Sequence, residues 1–158
     1  MSDDPLSLVI GLCLRFEGVY LRPYICPAGV VTVGVGATRY LDGRAVRLDD
    51  PPISREHALH MLRETLVRTY MPAALQLCPG ADTPGRVAAL TDFAYNCGVG
   101  NLRSSTLRKR VNAGDWTGAQ VEIKKWCFAG GKRLNGLVKR REVEAGMLPQ
   151  DYSANSAA

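Results

Sequence analysis

The sequence has no long hydrophobic run, and no stretch approaches the roughly 20 apolar residues that a membrane-spanning helix needs. The most apolar N-terminal stretch, 6–14, follows Asp3 and Asp4, whereas a secretory signal carries positive charge before its apolar core. We therefore expect neither an export signal nor stable insertion into a membrane.

Metal-binding patterns are scarce too. The five cysteines are irregularly spaced without a Cys-x-x-Cys pair, and His57 and His60 are the only histidines. These spacings do not fit a structural zinc site, so we expect no metal. Without an export signal we expect reduced thiols. The sequence leaves open whether disulfides form among the cysteines that lie outside the motif described below, which are Cys13, Cys78, Cys97 and Cys127.

Acidic residues are under-represented in the second half of the chain. The whole sequence has a formal charge of +5, but residues 84–147 contain twelve basic and five acidic side chains. Such a surplus is typical of proteins that bind a polyanion, which here means nucleic acid, an anionic membrane surface or an anionic wall polymer. A solvated helical surface without a charged partner would give the same count.

Hydrophobic periodicity predicts an α+β fold. Apolar residues recur at helical spacing over 6–17, and Gly18 follows as the stop of that helix. Further on, Val31, Val33 and Val35 alternate with small residues, as on a strand with one apolar face. The pattern predicts a small antiparallel sheet beside an N-terminal helix.

The rest of the chain reads as helices. Ser54 can cap a long helix, which Pro72 should kink or end. We predict one domain over 1–158 with a β-rich lobe at about 18–52 (a third short strand near 37–41), a connecting helix at about 53–80, a helical lobe at about 81–148 that packs with helix 6–17, and a flexible tail over 149–158. Within the helical lobe, helices are predicted at about 104–113, 116–127 and 136–147.

Glu17 occupies an unusual place for a carboxylate, the last position of the apolar stripe on the first helix. Burial disfavours the charged form of a carboxyl group and keeps it protonated nearer neutral pH, as a general acid requires. The alternative is a structural glutamate that pairs with an arginine at the helix end.

Glu17 is followed after eight residues by Cys26 and after five more by Thr32. This spacing resembles the phage lysozyme family of the T-even-phage type, glycoside hydrolase family 24, whose signature is Glu, eight residues, Asp or Cys, five residues, Thr. The similarity extends over RFEGVYLRPYICPAGVVTVGVGATRY at 15–40, ALTDFAYNCGVGNLRSSTLRKRVNAGDW at 89–116 and GLVKRREVEAGML at 136–148.

The resemblance implies a lysozyme-like fold with a cleft between a small β lobe and a larger helical lobe. It implies an endolysin, a muramidase that cleaves the β-1,4 bond between N-acetylmuramic acid and N-acetylglucosamine in peptidoglycan and so lyses the host. Glu17 would be the general acid, while Cys26 and Thr32 would hold or activate the attacking water in an inverting reaction. No metal or organic cofactor is implied.

The same resemblance places further residues near the site. Arg140 would pair with Glu17, although the adjacent Arg141 is an alternative and a solvated basic face is another. Tyr95 and Asn96 would lie on the cleft side of the helical lobe. Two glycines of the strand, Gly34 and Gly36, are candidate substrate-binding positions because they let a ligand approach the backbone. Cys26 stands where Asp is commoner, which makes its role as a base less secure.

Two other functions compete with a muramidase. A lytic transglycosylase also uses one glutamate but has no need of Cys26 and Thr32, and a basic nucleic-acid-binding module could use short helices at 104–127. We expect the muramidase, a monomer that binds glycan strands and not nucleic acid, with anionic envelope polymers as further partners. It would be made in the host cytoplasm and reach the wall after a separate holin opens the membrane.

Overall fold

The computed structural model describes residues 3–156. The helices are α1 (Pro5–Glu17), α2 (Arg55–Thr65), α3 (Met71–Leu77), α4 (Pro84–Cys97), α5 (Val99–Ser104), α6 (Thr106–Asn112), α7 (Trp116–Lys124) and α8 (Asn135–Gly146), with a π-helical turn at Leu66–Tyr70 and a 3-10 turn at Ala154–Ser156. The strands are β1 (Tyr20–Ile25), β2 (Val31–Gly34), β3 (Phe128–Ala129) and β4 (Lys132–Arg133). The α+β fold class expected from the sequence is confirmed.

Helix α1 has clear signals at both ends. Asp4 caps it by accepting a hydrogen bond from the backbone N–H of Ser7, and Pro5 stands in the first turn, where its missing N–H has no helical partner anyway. The helix ends at Gly18, whose φ of +73° suits glycine. Glu17 is therefore the last residue of α1, and its backbone position is fixed by the end of the helix.

The β lobe consists of one antiparallel hairpin. Strand β1 pairs with β2 in a register that sets Tyr24 opposite Thr32, and Gly29 (φ +81°) forms the turn. The third strand expected near 37–41 is reduced to two isolated bridges, Val33–Ala37 and Arg39–Ala45. A small core of Val33, Val46 and Met61 joins this lobe to α2.

The connecting helix differs from the continuous one predicted over about 53–80. Ser54 caps α2 by accepting from the N–H of His57, as expected. The rod then widens into the π-helical turn and continues as α3, with Pro72 in its first turn. In a regular α-helix the ring of Pro72 would clash with the carbonyl of Arg68, so the turn widens just before the proline.

Helix α4 is the centre of the helical lobe. Ten successive residues, 85–94, are buried, and the helix packs against α1, α3 and α8. Prediction missed α5, because Gly98 and Gly100 read as a break, and it missed the β3–β4 hairpin after α7. The helix predicted at 116–127 accordingly ends at Lys124.

Of the tail predicted to be flexible over 149–158, residues 157 and 158 lie outside the described residues, and the first part is attached to the helical lobe. The side-chain oxygen of Gln150 accepts a hydrogen bond from Arg86 at 2.8 Å, and the ring of Tyr152 packs against Gly85. These contacts attach the chain to α4 as far as Tyr152. All five cysteines are free thiols. Within residues 3–156 no helix is long and apolar enough to cross a membrane, and no three side chains form a metal-ligating cluster.

Candidate active site

A cleft of about 510 Å³ lies between the hairpin lobe and the helical lobe. Glu17 enters it from the end of α1, and Cys26 and Thr32 come from the hairpin. Tyr95 and Asn96 line it from the last turn of α4. Residues that are distant in the sequence thus meet around one cavity.

Glu17 is held by an ion pair. Arg140 Nη1 donates to Glu17 Oε1 at 2.6 Å, and the glutamate side chain remains 23% exposed on its cleft side. Arg140 itself is 3% exposed. The contact fixes one carboxyl oxygen in the interior and leaves the other for the cleft. The structure therefore selects Arg140, not Arg141, as the partner of Glu17.

Asp92 completes this arrangement, and sequence reasoning missed it. Its two oxygens accept from Arg140 Nε at 2.9 Å and Nη2 at 2.7 Å, and its side chain is fully buried. Burial alone would raise the pKa of Asp92, but the bonds from Arg140 hold that pKa below its usual value. An aspartate in an otherwise apolar stretch of α4 was the available signal, because a buried carboxylate needs a cationic partner.

A second buried pair lies behind Asp92. Arg141 and Glu144 are both fully buried, with Arg141 Nη2 donating to Glu144 Oε1 at 2.9 Å. Burial and a hydrogen bond to Asp92 raise the pKa of Glu144 well above its usual value. The buried guanidinium of Arg141 also donates to Asn96 Oδ1 at 2.8 Å.

Cys26 lies at the end of β1, where the hairpin turns. Burial acts to raise the pKa of its thiol. The hydrogen bonds from the backbone N–H of Val30, the Thr32 hydroxyl and the backbone N–H of Ala28 together outweigh burial, so the pKa lies below the ordinary value. Thr32 Oγ1 also lies 3.0 Å from the carbonyl oxygen of Val30, to which it donates. The Thr32 hydroxyl has one O–H, so it can donate a hydrogen bond to the Val30 carbonyl or to the Cys26 sulfur, but not to both at once.

The two candidate glycines have different surroundings. Gly36 (φ +72°) lines the cleft, and a Cβ there would lie 3.0 Å from Glu17 Oε2. Gly34 is buried against Ala58 and Ile53, away from the cleft lining. Gly34 is therefore not among the residues that line the cleft, because Ala58 of α2 and Ile53 occupy the space in front of it, and its role in substrate binding stays a prediction. The close approach allowed by Gly36 is that of the Glu17 side chain.

The hydroxyl of Tyr95 makes a structural contact between the two lobes. It donates to the backbone carbonyl of Val35, which joins the helical lobe to the β lobe at the base of the cleft. Burial raises the pKa of Tyr95 well above its usual value. The Tyr95 ring also meets that of Tyr70 edge-on at 5.0 Å. This hydroxyl is therefore occupied, and Asn96 is the polar group left at this end of α4.

A small β lobe and a larger helical lobe on either side of a cleft, with a glutamate at the end of the first helix, define a lysozyme-like protein. The sequence pattern of the Phage lysozyme family matches residues 14–144. The chain belongs to this family.

Several relatives share most of their length with this chain. A SAR-endolysin of Bacteriophage PS119 is 37% identical over 131 residues, which are 81% of this chain and 73% of the relative. An endolysin of Acyrthosiphon pisum secondary endosymbiont phage 1 is 35% identical over 141 residues, 87% of this chain and 92% of the relative. Among solved structures, an endolysin from Escherichia coli O157:H7 phage FAHEc1 is 29% identical with a TM-score of 0.80, covering 92% of each chain.

The muramidase domain of SpmX from Asticaccaulis excentricus is a further structural relative. It is 25% identical with a TM-score of 0.74, and the match covers 89% of this chain and 93% of that one. The fold is thus shared by proteins described as endolysins and by one described as a muramidase domain.

Proposed function

We propose that this phage lysozyme is an endolysin that cleaves the β-1,4 bond between N-acetylmuramic acid and N-acetylglucosamine in peptidoglycan. The observation that carries the proposal is the meeting of Glu17, Cys26 and Thr32 in one cleft, with Arg140 fixed behind the glutamate. Family membership and the similarity to endolysins and to a muramidase domain support the same activity.

Glu17 acts as the general acid in this proposal. Its cleft-side oxygen donates a proton to the glycosidic oxygen as the bond to the anomeric carbon breaks. The carboxylate left behind is stabilised by the charge-assisted hydrogen bond from Arg140. Because Arg140 is itself held by Asp92, the guanidinium does not need to move during the reaction.

Cys26 and Thr32 act on the attacking water. The lowered pKa of Cys26 favours its thiolate form, and in this proposal the thiolate takes the proton that water loses when its oxygen bonds to the anomeric carbon. Thr32 orients that water through its hydroxyl. One water is added, one proton is given by Glu17 and one is taken by Cys26, so the product forms by a single inverting displacement.

Product analysis tests this reaction against a lytic transglycosylase. We expect fresh digests of soluble glycan strands to contain a reducing sugar of inverted anomeric configuration, observed by proton NMR before mutarotation. A 1,6-anhydro product would instead assign the chain to the transglycosylases. Glu17→Gln should lose at least about 10²-fold in kcat while its melting curve stays close to wild type, because the amide cannot donate the proton as an acid. A variant with near-normal activity would refute the role of Glu17.

The basic surplus suggests a second contact with the envelope, outside the cleft. A groove of about 420 Å³ is lined by Arg103, Arg108 and Lys109. Arg108 is fixed there by donating to the Leu77 carbonyl at 2.8 Å, and neither Arg103 nor Lys109 forms an ion pair within residues 3–156. We propose that this groove holds anionic envelope polymers, with no role for nucleic acid.

A matched pair of double variants tests the groove. We expect Arg103→Gln with Lys109→Gln to reduce the rate on whole cell wall and flatten its salt dependence, because salt screens exposed charges. Arg22→Gln with Arg55→Gln removes the same charge from exposed positions outside the helical lobe. If both double variants reduce the rate on whole cell wall equally, the groove has no part in the proposal. The same holds if the groove variant loses as much activity on a short soluble glycan as on whole wall.

The route to the wall is also a proposal. Some relatives are described as SAR-endolysins and others as endolysins. We propose that this chain, as a monomer, is made in the host cytoplasm and crosses only after a separate holin opens the inner membrane. Expression alone should leave Escherichia coli intact, and co-expression with a holin should lyse it. Lysis without a holin would overturn this route. The oligomeric state is tested separately, by measuring the molar mass of the purified chain by light scattering.

A further inference from the structure

The carboxamide of Asn96 has a defined orientation. Arg141 Nη2 donates to it at 2.8 Å, and a guanidinium has only donors, so the atom that faces Arg141 must be Oδ1. The amide nitrogen Nδ2 therefore points elsewhere. Both side-chain hydrogen bonds of Asn96 within residues 3–156 use Oδ1, so Nδ2 donates to no acceptor there, and the half-buried Asn96 lines the cleft. The cleft wall thus carries an unused donor at this position.

Arg141 is held in one place by several contacts. Its side chain is fully buried; Nη2 also donates to Glu144 Oε1 at 2.9 Å, and Nε lies 2.8 Å from Glu144 Oε2. Its Nη1 donates to Cys97 Sγ, and its guanidinium carbon lies 5.3 Å from the centre of the Phe93 ring. Arg141 does not line the cleft, so any effect on substrate must pass through Asn96.

A fixed donor selects among the groups of an amino sugar. Hydroxyl groups donate and accept, so they would bond either end of a carboxamide, whereas an acetamido carbonyl oxygen only accepts. We infer that Arg141 is a positioning residue that holds Asn96 as a hydrogen-bond donor to the acetamido carbonyl of an N-acetylated sugar in the cleft. This inference rests on the proposed muramidase function and makes Asn96 a determinant of specificity for N-acetylated glycan.

Two soluble glycans, one N-acetylated and one chemically de-N-acetylated, test this specificity. Asn96→Asp keeps an acceptor for Arg141 and replaces the donor in the cleft with a second acceptor. We expect kcat/KM on the acetylated glycan to fall about tenfold, the loss of one hydrogen bond to substrate, with most of the change in KM. The thermal melt should not fall, since Arg141 gains a charged partner.

The decisive measurement is the ratio of kcat/KM on the acetylated glycan to kcat/KM on the de-N-acetylated glycan. Wild type should prefer the acetylated glycan, and that preference should shrink or reverse in Asn96→Asp, because a carboxylate attracts the ammonium groups exposed by deacetylation. Asn96→Ala should lose the preference without reversing it. An Asn96→Asp enzyme with wild-type kcat/KM and wild-type preference would overturn the inference.

Arg141 is tested by a double-mutant cycle. We expect Arg141→Lys to reduce activity on the acetylated glycan much more than on the de-N-acetylated one, and to add no loss on top of Asn96→Ala. Losses that are equal on both glycans and additive with Asn96→Ala would show a purely structural role and refute the positioning. If Arg141→Lys does not fold, the Asn96→Asp result decides alone.

Wild type and Glu17→Gln serve as references in the same assay. If wild type cleaves the acetylated glycan and Glu17→Gln does not, the muramidase proposal stands whatever the Asn96 variants do. If wild type cleaves neither glycan, the proposed function fails and the inference fails with it.

Discussion

Asp92 accepts hydrogen bonds from both Nε and Nη2 of Arg140, so Nη1 is the nitrogen of that guanidinium that reaches Glu17. The two carboxylates share one cation, with the fully buried Asp92 on the interior side. Arg140 therefore has a fixed geometry before substrate arrives, which is the condition for electrostatic stabilisation without reorganisation.

We expect Asp92→Asn to destabilise the fold by about 3 kcal/mol, the cost of removing one member of a buried ion pair. Activity of the folded fraction should also fall, because Arg140 loses the bidentate contact that aims it at Glu17. Chemical denaturation and turbidity clearing measure the two effects. Asp82→Asn is the control, since Asp82 pairs with Arg86 but is 65% exposed, and it should change little. Equal effects of both substitutions would contradict the importance assigned to burial.

We expect Gly36→Ala to reduce activity about ten- to hundredfold, because its Cβ would lie 3.0 Å from Glu17 Oε2 and displace the acid. Gly114→Ala is the matched control, with φ of +71° against +72° and nothing within 4 Å of the added Cβ. Both substitutions should cost about 1–2 kcal/mol in stability, from the left-handed backbone alone. Lysis assays and thermal melts of the pair separate this strain from the displacement of Glu17.

Cys26→Ala should lose about 10²-fold or more in kcat, as is typical when an acid–base group is removed, whereas Cys26→Asp should retain much of the activity. If the thiol only fills space, Cys26→Ala and Cys26→Ser will both stay within about threefold of wild type, and Glu17 and Thr32 alone will carry the site.

Alkylation gives an independent measurement on Cys26. Its rate should rise with pH and reach half its maximum at a lower pH than that of an ordinary exposed thiol, because the pKa of Cys26 is lowered. Burial raises the pKa of Cys97 to about 11, and Cys78 is buried with a pKa of about 11, so both should react more slowly. Mass mapping of the labelled residue checks this order, and inactivation that accompanies labelling elsewhere would count against a blocked water site.

Glu144→Gln should change the pH dependence of stability. The pKa of Glu144 is raised in the folded protein, so the native state keeps a proton that the unfolded chain releases above about pH 4.3. Stability contributed by this proton is present at low pH and is lost as pH rises, by up to about 1.4 kcal/mol per pH unit. Glutamine is neutral at every pH. The melting temperature of the Glu144→Gln variant should therefore increase relative to that of wild type between pH 4 and pH 7. Parallel curves would show that Glu144 is ionised in the native state.

The residues that line the cleft were easier to predict from the sequence than the buried residues behind them. Glu17 was marked by its place on an apolar stripe, and the positions of Cys26 and Thr32 followed from a short motif within one hairpin, where spacing along the chain determines spacing in space. Arg140 required the family resemblance, since its bond to Glu17 spans 123 residues. Nothing local distinguishes it from Arg141, and only the packing of α8 in the folded chain decides which guanidinium reaches Glu17.

The interior network was not predicted because helical periodicity gives no contrast there. Helix α4 is buried on all sides over 85–94, so Asp92 shows no polar face to set it apart. The covered surroundings of Gly34 were not predicted for a related reason. Alternation placed it on the small-residue face of β2, but only the packing of α2 against the hairpin reveals that this face is covered.

The π-helical turn at Leu66–Tyr70 acts as a phase shift along the connecting rod. One extra residue in a turn rotates everything beyond it by about 100° relative to an uninterrupted α-helix. Before the turn, Leu62 and Thr65 line the cleft, and Leu62 also packs into the core around α4; after it, Ala74 and Leu77 belong to that core and do not line the cleft. The first half of the rod can thus contact both the cavity and the hydrophobic interior, and the second half the interior alone. Deleting one residue from the turn would restore an even helical pitch and bring the wrong face of each half to its neighbour.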